Sequence, residues 1–422
     1  MELFLVKSRR SAWNRLVVQL GGCLLTAAVI PFFIRYLTID ADAVGTLEQT
    51  FVGCIGAIVV GVWLLRNVTT YPGVETGAYI LPAFALSYFA LLMVFVFGRI
   101  EYNRLTLSLA FAISLIWLFF VHFKSQRSQI LRIGYLPLFS DTEPACSTAV
   151  EWIALAGVES DFSTLDAVAT DLRIDLPEDW DRKLADLALA GVPVFHLKHL
   201  LESLTGRVEL EHLSENSFGS LIPLSAYQSI KYGIDFITAV VAAAVLLPLL
   251  LIVAIIVKCS SQGSILFTQW RIGTRGEPFK VYKFRTMTAS LSSESGREAA
   301  MTKLNDTRVT PVGRFLRKTR IDELPQIVNI LRGEMSWIGP RPEAEVLSRW
   351  YEKEIPFYRY RHIVRPGIAG WAQVNQGHVA DVDEVRSKLH YDFYYIKNFS
   401  PWIDLLIIAR TVRTVLTGFG SR

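Results

Sequence analysis

Two adjacent carboxylates, Asp322 and Glu323, stand near the start of an apolar run in "TRIDELPQIVN", residues 319–329. A carboxylate can attack a phosphorus centre to form an acyl phosphate, but cations must then neutralise two anions that otherwise repel each other. Three cations precede the pair in sequence: Arg317, Lys318 and Arg320. Carboxylates in such a position are also common as partners of a helix dipole. The pair is therefore a candidate reaction centre, with a merely structural role as the alternative.

The residues after the pair predict a short helix that begins at the carboxylates. Pro325 suits the first turn, because a proline there lacks only an N–H that the helix does not use. Leucine, isoleucine and valine recur at helical spacing and form one apolar face: Leu324, Ile327, Val328 and Leu331. Asp322, Gln326 and Asn329 fall on the other side. The spacing thus predicts a carboxylate pair at a helix N-terminus.

Three further segments have the composition of phosphate-binding motifs. "RIGTRGEPFKVYKFRTM", residues 271–287, combines two glycines with several cations, which permits close backbone approach and charge-assisted hydrogen bonds. Prolines stiffen the backbone around Arg341 in "GPRPE", and Arg365 begins a similarly rigid "RPG". A strand and turn with solvated cations is the alternative for the first segment. For the segment that begins at Arg365, a role in loop shape is the alternative to phosphate binding. The candidate substrate-binding residues are Arg271, Lys283, Arg285, Arg320, Arg341 and Arg365.

The composition indicates a membrane protein with an uneven charge. Of 422 residues 51% are hydrophobic and the mean hydropathy is +0.34, which is too apolar for a wholly soluble protein. Residues 225–422 contain 27 Lys and Arg against 17 Asp and Glu, a balance of +10, so residues 1–224 carry −6. The basic half predicts an anionic partner. The motifs of nucleic-acid binders are absent, so phosphates at a membrane surface are favoured and no nucleic acid is expected.

Four apolar stretches near the N-terminus each approach the length of a bilayer-spanning helix. They cover residues 13–34, 51–65, 79–98 and 105–121. Basic residues lie outside both ends of the set: Lys7, Arg9, Arg10, Arg15, Lys124, Arg127 and Arg132. The positive-inside rule places both ends in the cytoplasm, so residues 1–123 are predicted to form a four-helix transmembrane bundle. A signal peptide is the alternative for the first stretch, but no small-residue cleavage site follows it.

Residues 124–222 are predicted to form a small α/β, Rossmann-like cytoplasmic domain. Short β-like runs such as "ILRIGYL" and "VPVFHL" alternate with helical patterns. No GxGxxG follows a strand, so a regulatory or oligomerising role is favoured over nucleotide binding. His196, His199 and His212 are too loosely spaced to indicate a metal site. The four cysteines of the chain are also scattered, which favours a reducing, cytosol-facing context.

The apolar stretch 234–257 would reach about 36 Å as a straight helix, enough to cross a bilayer, yet it contains Pro248. Lys231 and Lys258 flank it, and two basic ends are more stable on one membrane face than on opposite faces. We therefore predict a re-entrant helix that bends at Pro248, with an ordinary spanning helix as the alternative. Asp235 is a candidate ion-pair partner of Lys231 at its start, with a snorkelling charge as the alternative.

Residues 401–416, "PWIDLLIIARTVRTVL", have an amphipathic pattern. The apolar side comprises Trp402, Leu405, Leu406 and Ala409, and the polar side comprises Arg410 and Arg413. The pattern predicts an interfacial helix whose arginines face water or lipid headgroups. Ordinary packing in a protein core is the alternative.

Three motifs resemble the bacterial sugar transferase family of monotopic phosphoglycosyl transferases. They are "KFRTM" at 283–287, "RIDELPQIVNILRGEMSWIGPRPE" at 320–343 and "RPGIAGWAQVNQG" at 365–377. The resemblance implies that residues 223–422 form an α-rich catalytic domain with a re-entrant membrane helix and interfacial helices. The preceding helices and α/β domain resemble those of larger members that initiate exopolysaccharide, capsule or O-antigen synthesis. In one departure, Leu247 precedes Pro248, where members often have serine.

The resemblance implies transfer of a sugar 1-phosphate from a UDP-sugar to undecaprenyl phosphate, with release of UMP. It makes Asp322 the nucleophile of a phosphosugar-aspartyl intermediate and implies that Glu323, together with Asp322, holds Mg²⁺ against the diphosphate. Arg341 is assigned to the nucleotide end. A general-base role for Asp322 in direct transfer is the alternative. The implied location is the bacterial inner (cytoplasmic) membrane, with the catalytic domain in contact with membrane lipids and facing the cytoplasm.

Other classes of protein stay open at this level. A non-catalytic membrane scaffold is one alternative, although the intact Asp322 and Glu323 argue against it. A regulator of polysaccharide assembly that keeps the fold but has lost activity is another, and only an assay separates it from the enzyme. A hydrolase would use the same covalent intermediate with water in place of the lipid phosphate. No motif marks the sugar, and the 124–222 domain is the candidate for control of a possible homo-oligomer.

Overall fold

The computed structural model describes residues 13, 15–39, 43–68, 76–126, 131–137, 150–173, 175–208, 225–288, 308–376 and 382–417. The chain divides into two compact units, Met1–Gly206 and Arg207–Arg422. The predicted boundaries after residues 123 and 222 stay predictions. Some residues on which the sequence-based expectations rest lie outside the described ranges: Lys7, Arg9, Arg10, Arg127 and His212.

Four helical segments of the first unit are long and apolar enough, by length and composition, to cross a membrane. They comprise α1 (Leu16–Cys23), a π-helical stretch (Leu24–Val29) and α2 (Ile30–Tyr36), followed by α3 (Val44–Val68), α4 (Thr76–Phe97) and α5 (Arg104–Gln126). These helices share one buried apolar cluster that includes Ile58 and Phe84. Large apolar side chains such as Trp63 and Phe97 point outward and are exposed. Since apolar residues cover both the inside and the outside, the chain is a membrane protein.

The same unit contains a four-stranded parallel sheet in the order β2-β1-β3-β4. Its elements are β1 (Leu131–Tyr135), β2 (Val150–Ala154), β3 (Ala167–Thr170), α6 (Glu178–Leu189), β4 (Val194–His196) and α7 (Leu197–Thr205). Apolar clusters cover both faces of the sheet, one around Val168 and Trp180 and the other around Ile133 and Leu200. Parallel strands covered on both faces are typical of α/β folds. The predicted mixed α/β content is therefore present.

The second unit begins with α8 (Ser225–Ser260), a single helix of 36 residues that includes Pro248. One side of α8 packs against the rest of the unit along its length, with Ala239 and Val257 fully buried. The other side exposes large apolar residues, among them Val245 and Ile255. The helix therefore has one protein-facing side and one apolar side that water would not favour.

The remaining elements of the second unit are short. They are β5 (Leu266–Ile272), a 3₁₀ turn (Thr274–Gly276), β6 (Pro278–Phe284), α9 (Pro311–Thr319), a 3₁₀ helix (Ile321–Gln326), α10 (Ile327–Leu331), β7 (Ser336–Ile338), α11 (Glu345–Glu354), a 3₁₀ helix (Tyr358–Ile363), β8 (Gly367–Ala369), α12 (Trp371–Asn375), α13 (Val382–Lys397) and α14 (Pro401–Thr417). Strands β5 and β6 form an antiparallel ribbon, and β7 pairs with β8 in parallel. The ribbon packs against α8 and α10 through Phe279 and Val281.

Helix α14 differs in register from the predicted amphipathic pattern. Among the described side chains of α14, the buried apolar residues are Ile403, Leu406 and Ile407, whereas Ile408 is exposed. Arg410 was predicted to face water or headgroups, but its guanidinium lies 4.6 Å from the ring centre of Trp371. The shift follows from Asp404, an acid within the apolar run that is itself buried. A buried carboxylate needs a polar partner, and that partner fixes which side of the helix faces inward.

Candidate active site

The carboxylate pair follows a residue with a left-handed backbone conformation, Arg320. Helix α9 ends at Thr319, and Arg320 adopts φ 59° and ψ 16° before the 3₁₀ helix that carries Asp322 and Glu323. The pair therefore lies in a 3₁₀ helix ahead of α10, and not in the first turn of one continuous α-helix as the spacing predicted. Pro325 accounts for this, because it has no N–H to continue an α-helical ladder from Ile321.

The predicted apolar face of this segment is only partly correct. Val328 is 41% exposed, while Asn329, predicted for the polar side, is fully buried. Asn329 Nδ2 donates to Lys280 O at 2.7 Å, and Asn329 Oδ1 accepts the Tyr282 N–H at 3.3 Å. This buried amide joins α10 to β6, the strand that carries Lys283. Hydrophobic periodicity places such a polar residue on the exposed side, because it does not show that the side chain bonds to the backbone of another segment.

Glu323 is held by two cations. Its Oε1 accepts hydrogen bonds from Lys283 Nζ at 2.8 Å and from Arg341 Nη2 at 2.6 Å. Burial by itself would raise the pKa of Glu323, but the charges and hydrogen bonds of Arg341 and Lys283 outweigh it and hold that pKa well below its usual value. Glu323 is therefore an anion with both cations already in contact.

Asp322, one residue earlier, has a different environment. It is only 8% exposed, and its buried Oδ1 has no hydrogen-bond partner in the described part of the chain. Burial, and secondarily the charge of Glu323, raises the pKa of Asp322, while Lys283 and Arg320 act in the opposite direction. A poorly solvated carboxylate oxygen that accepts no hydrogen bond in the described structure and lies near cations makes Asp322 a candidate nucleophile toward an anionic phosphate.

The cations around the pair come from distant segments. Lys283 is on β6 and Arg341 follows β7, whereas the local candidate Arg317 donates through Nε to Thr286 Oγ1 at 2.9 Å. The pKa of Lys283 is lowered to about 8, because burial outweighs the opposing effect of the neighbouring Glu323. The neutralising charges are therefore supplied by tertiary structure more than by the preceding helix.

Arg271 contacts the loop that carries Arg341. Its guanidinium donates to Gln269 Oε1 at 3.0 Å and to the carbonyl of Pro342. Burial, and secondarily the charge of Arg341, lowers the pKa of Arg271 to about 10. Arg271 therefore lies within electrostatic range of the pair but contacts the loop that carries Arg341.

Two other predicted phosphate-binding residues have structural contacts. Arg285 donates to Ser261 O at 2.6 Å and to Ser261 Oγ at 2.9 Å, at the C-terminal end of α8. Arg365 lies with its guanidinium 3.8 Å from the ring centre of Tyr232, near the other end of that helix. Phosphate binding by Arg285 or Arg365 stays a prediction.

The predicted pairing of Lys231 with Asp235 is replaced by another. Lys231 Nζ lies 2.7 Å from Asp404 Oδ2, and both side chains are buried. Asp235 Oδ2 instead accepts a hydrogen bond from Ser336 Oγ at 2.6 Å. The one sequence signal for Asp404 is a lone acid inside an apolar run, because such an acid needs a buried cation.

The second unit thus combines an apolar membrane helix with a buried acidic pair surrounded by cations, and this defines a membrane-associated group-transfer enzyme acting on phosphates. Residues 226–418 match the family described as bacterial sugar transferase. Similarity to a relative along most of the chain extends this match, and the chain belongs to that family.

The chain is 44% identical over 385 residues to the UDP-N-acetylgalactosamine-undecaprenyl-phosphate N-acetylgalactosaminephosphotransferase of Aeromonas hydrophila. That match covers 91% of this chain and 89% of the relative. A UDP-glucose:undecaprenyl-phosphate glucose-1-phosphate transferase of Xanthomonas campestris pv. campestris is 44% identical over 184 residues, covering 43% of this chain and 38% of the relative. The enzyme of the same description from Escherichia coli (strain K12) is 40% identical over 193 residues, covering 45% and 41%.

Proposed function

We propose that this protein transfers a sugar 1-phosphate from a UDP-sugar to undecaprenyl phosphate and releases UMP, as the first membrane step of a bacterial polysaccharide pathway. The observation that carries the proposal is the contrast within the acidic pair. Glu323 is held by Lys283 and Arg341, while the neighbouring Asp322 keeps a buried oxygen without a hydrogen-bond partner in the described structure. The activities for which the relatives are named support the same reaction.

In the proposed first step, an Asp322 carboxylate oxygen attacks the β-phosphorus of the UDP-sugar. An aspartyl O–P bond forms, and the bond from that phosphorus to the oxygen bridging to UMP breaks, so UMP leaves with the electron pair. In the second step, a phosphate oxygen of undecaprenyl phosphate attacks the same phosphorus. The aspartyl O–P bond breaks, the carboxylate is regenerated, and the product is an undecaprenyl diphosphosugar.

The cations lower the cost of bringing anions together. Arg341 and Lys283 already neutralise Glu323, so an arriving diphosphate meets an array that is less negative than two free carboxylates. Arg320 is exposed, and its charge acts to lower the pKa of Asp322, so it adds positive charge on the side of the pair where the phosphate would arrive. The array needs little rearrangement during the reaction, which is the usual source of electrostatic catalysis.

We propose Mg²⁺ as the cofactor, held by Asp322 and Glu323 together with diphosphate oxygens of the donor. The described residues contain no group of three or more His, Cys, Asp or Glu side chains suited to a metal. Such a sparse donor set fits Mg²⁺, which commonly takes one or two carboxylates plus substrate phosphates. Asp322 Oδ1 accepts no hydrogen bond in the described structure, which suits this role. In Glu323 both short cation contacts are on Oε1, and Oε2 has only a longer one, 3.4 Å from Arg341 Nη1, so Oε2 is the oxygen proposed for Mg²⁺. When bound, Mg²⁺ would neutralise charge on the diphosphate.

Among UDP-sugars, we propose UDP-N-acetylgalactosamine as the first donor to test. The relative whose name specifies that donor is similar along 91% of this chain, whereas the two glucose-specific relatives compared above match less than half of it. Similarity over the whole chain is the stronger support, because it also includes segments that short matches omit.

We propose that α8 is re-entrant and that the catalytic unit faces the cytoplasm at the inner membrane, with α1–α5 as a four-helix transmembrane bundle. Near its N-terminus, α8 is bonded to α14 through Lys231 and Asp404. Near its C-terminus, Ser261 accepts hydrogen bonds from Arg285. Both ends are thus bound to one charged unit, which supports their lying on one side of the bilayer. The exposed apolar side of α8 would then face lipid.

The test uses protein in nanodiscs with Mg²⁺, undecaprenyl phosphate and a panel of UDP-sugars, with UMP release as the signal. We expect release with one sugar, UDP-N-acetylgalactosamine being the first candidate, and none from Asp322→Asn. The matched control is Asp383→Asn, an exposed acid of α13. A folded wild type that is silent across the panel would contradict the transferase, and equal release by Asp322→Asn would remove Asp322 from the chemistry.

A single-turnover experiment distinguishes covalent from direct transfer. Without undecaprenyl phosphate, a covalent mechanism releases at most one UMP per enzyme and leaves a phosphosugar adduct on the peptide that contains Asp322. Direct transfer with Asp322 as general base releases no UMP until the acceptor is added. Intact-protein mass spectrometry on the same sample measures the adduct.

A further inference from the structure

The loop that presents Arg341 is held at three consecutive carbonyls. Pro340 O accepts the N–H at the start of β8 at 3.0 Å. Arg341 O accepts from Arg361 Nη2 at 2.9 Å, and Pro342 O accepts from Arg271 Nη1. The two prolines also fix their own φ angles and have no N–H to be satisfied. The backbone on either side of the Arg341 side chain is therefore restrained by three separate segments.

The close approach of β7 and β8 is part of this restraint. A Cβ added to Gly339 would lie 2.3 Å from Arg365 O, and one added to Gly367 would lie 2.1 Å from Gly339 N. Only glycine at both positions lets the two backbones come this close. The loop after Gly339 therefore starts from a fixed point.

Arg361 is a buried cation whose guanidinium makes specific hydrogen bonds. It is 3% exposed, and its guanidinium donates to Tyr358 Oη at 2.7 Å as well as to Arg341 O. Its charge is neutralised by Asp392 of α13, whose Oδ2 lies 2.8 Å away and which is 1% exposed. Removing two charges from water is costly, and only their mutual attraction and hydrogen bonds offset that cost. An apolar pair would fill the same space, but it would leave Arg341 O without a donor.

The contacts form one continuous series. Asp392 pairs with Arg361, Arg361 holds the Arg341 backbone, and the Arg341 side chain reaches Glu323 at 2.6 Å. In the described structure the bonded cations of Glu323 are Lys283 and Arg341, and Arg361 is not among them. The hydrogen bonds therefore connect Arg361 to the acidic pair through Arg341.

We infer that the Arg361–Asp392 ion pair is a positioning device that fixes the Arg341 backbone so that its guanidinium meets Glu323. The kinetic part of its test rests on the proposed transferase function. Neither residue of the pair was singled out by the sequence, since both stand in unremarkable polar surroundings, "YRYRH" and "HYDFY". Because a misplacement of about 1 Å can cost roughly 100-fold in rate, loss of the pair is expected to act mainly on kcat.

The first experiment is a double-mutant cycle on UMP release, with Arg361→Lys, Arg341→Lys and the combination. A positioning role predicts that Arg361→Lys lowers kcat about 100-fold in the wild type and far less when Arg341 is already lysine. Arg349→Lys, an exposed arginine on α11, is the control and should behave as wild type. Fully additive losses would overturn the inference, because they mean that Arg361 acts independently of Arg341.

A second variant addresses folding. Replacing both charges at once, Arg361→Met with Asp392→Leu, removes the ion pair without leaving a lone buried charge, and such exchanges often keep or raise stability. We expect a thermal midpoint near that of the wild type together with a strong loss of kcat. A stable double variant with normal kcat would overturn the inference.

A third measurement does not depend on knowing the donor. Hydrogen exchange by mass spectrometry should show faster exchange at Gly339 and Gly367 in the double variant, since their N–H groups bond to Ala369 O and Pro340 O in the held loop. Unchanged exchange at both amides would contradict the inference even if the wild type transferred no sugar. Faster exchange with a silent wild type would keep the positioning role and reject the proposed function.

Discussion

Lys231 Nζ lies 2.7 Å from Asp404 Oδ2, so a cation of the apolar helix α8 is neutralised by an anion of α14, 173 residues away. Tyr227 and Tyr395 also donate to the Asp404 carboxylate, at 2.6 and 3.0 Å. The pair is buried on both sides, so it joins the membrane helix to the catalytic unit at a defined position. The ion pair is expected to matter for stability, because removing one member would leave the other as an unpaired buried charge.

We expect Asp404→Asn to destabilise the second unit by about 3–5 kcal/mol, the usual range when one member of a buried ion pair is removed. The double variant Lys231→Met with Asp404→Leu should recover most of that loss, because it removes both charges together. Thermal unfolding in detergent compares the stability of the wild type, Asp404→Asn and the double variant. Asp383→Asn, in an exposed pair, serves as the control. A single variant as stable as the wild type would show that the pair contributes little.

Asp322→Asn should abolish transfer while leaving stability equal or slightly higher. The pKa of Asp322 is raised by burial, so the folded state holds this ionised carboxylate at a free-energy cost above its unfolded pKa, and that cost disappears with asparagine. Glu323→Gln should instead lose stability, because Lys283 and Arg341 would lose their shared anion. Thermal midpoints at pH 7, measured beside UMP release, test the contrast. Equal destabilisation by both variants would contradict it.

The activity should fall as pH rises above about 8, where Lys283 loses its proton. The sign follows from charge: the lowered pKa of Lys283 means that the cation contacting Glu323 is present below that pH and lost above it. Lys283→Arg should keep the cation and move the alkaline limb to higher pH, at some cost in rate. Lys280→Arg, an exposed cation that lies 4.9 Å from the Trp270 ring centre, should leave the limb unchanged. An identical alkaline limb in Lys283→Arg would exclude Lys283 as its origin.

Replacing Arg320 separates backbone strain from charge. Its φ of 59° favours glycine, so Arg320→Gly should preserve the thermal midpoint or raise it by relieving about 1 kcal/mol of strain. The same variant removes a cation that acts on Asp322, so transfer should fall. Arg320→Asn is the matched variant, because asparagine also tolerates this conformation without supplying charge. If both variants transferred sugar normally, the Arg320 charge would have no part in the reaction.

Native Cys259 reports where the C-terminal end of α8 lies. It is exposed near the end of the helix, whereas Cys23 and Cys54 are buried. In a Cys146→Ser background, an impermeant maleimide should label Cys259 in inside-out vesicles and not in intact spheroplasts if α8 is re-entrant. Pro248→Ala tests whether the proline bends α8. If it does, the substitution should change the labelling of Cys259 or the activity. Labelling of Cys259 from the periplasmic side would contradict re-entry.

The family and the candidate pair were readable from the sequence because their signals are local. Apolar stretches of bilayer length, an acidic pair before a proline and basic motifs around glycine and proline each depend on residues close together in the chain. The adjacent Asp322 and Glu323 needed no tertiary information to be noticed. The different environments of the two carboxylates could be seen only in the tertiary structure, because the cations that contact Glu323 come from positions 18 and 40 residues away.

The sequence by itself therefore determined a membrane protein with an α/β portion and a basic catalytic half that belongs to the bacterial sugar transferase pattern. Only the tertiary structure decided which charges meet: Lys231 with Asp404, Arg341 with Glu323, and Arg361 with Asp392. The physical reason is that hydrophobic periodicity is a property of neighbouring residues, whereas a buried charge is stable only beside an opposite charge, and any distant segment can supply it.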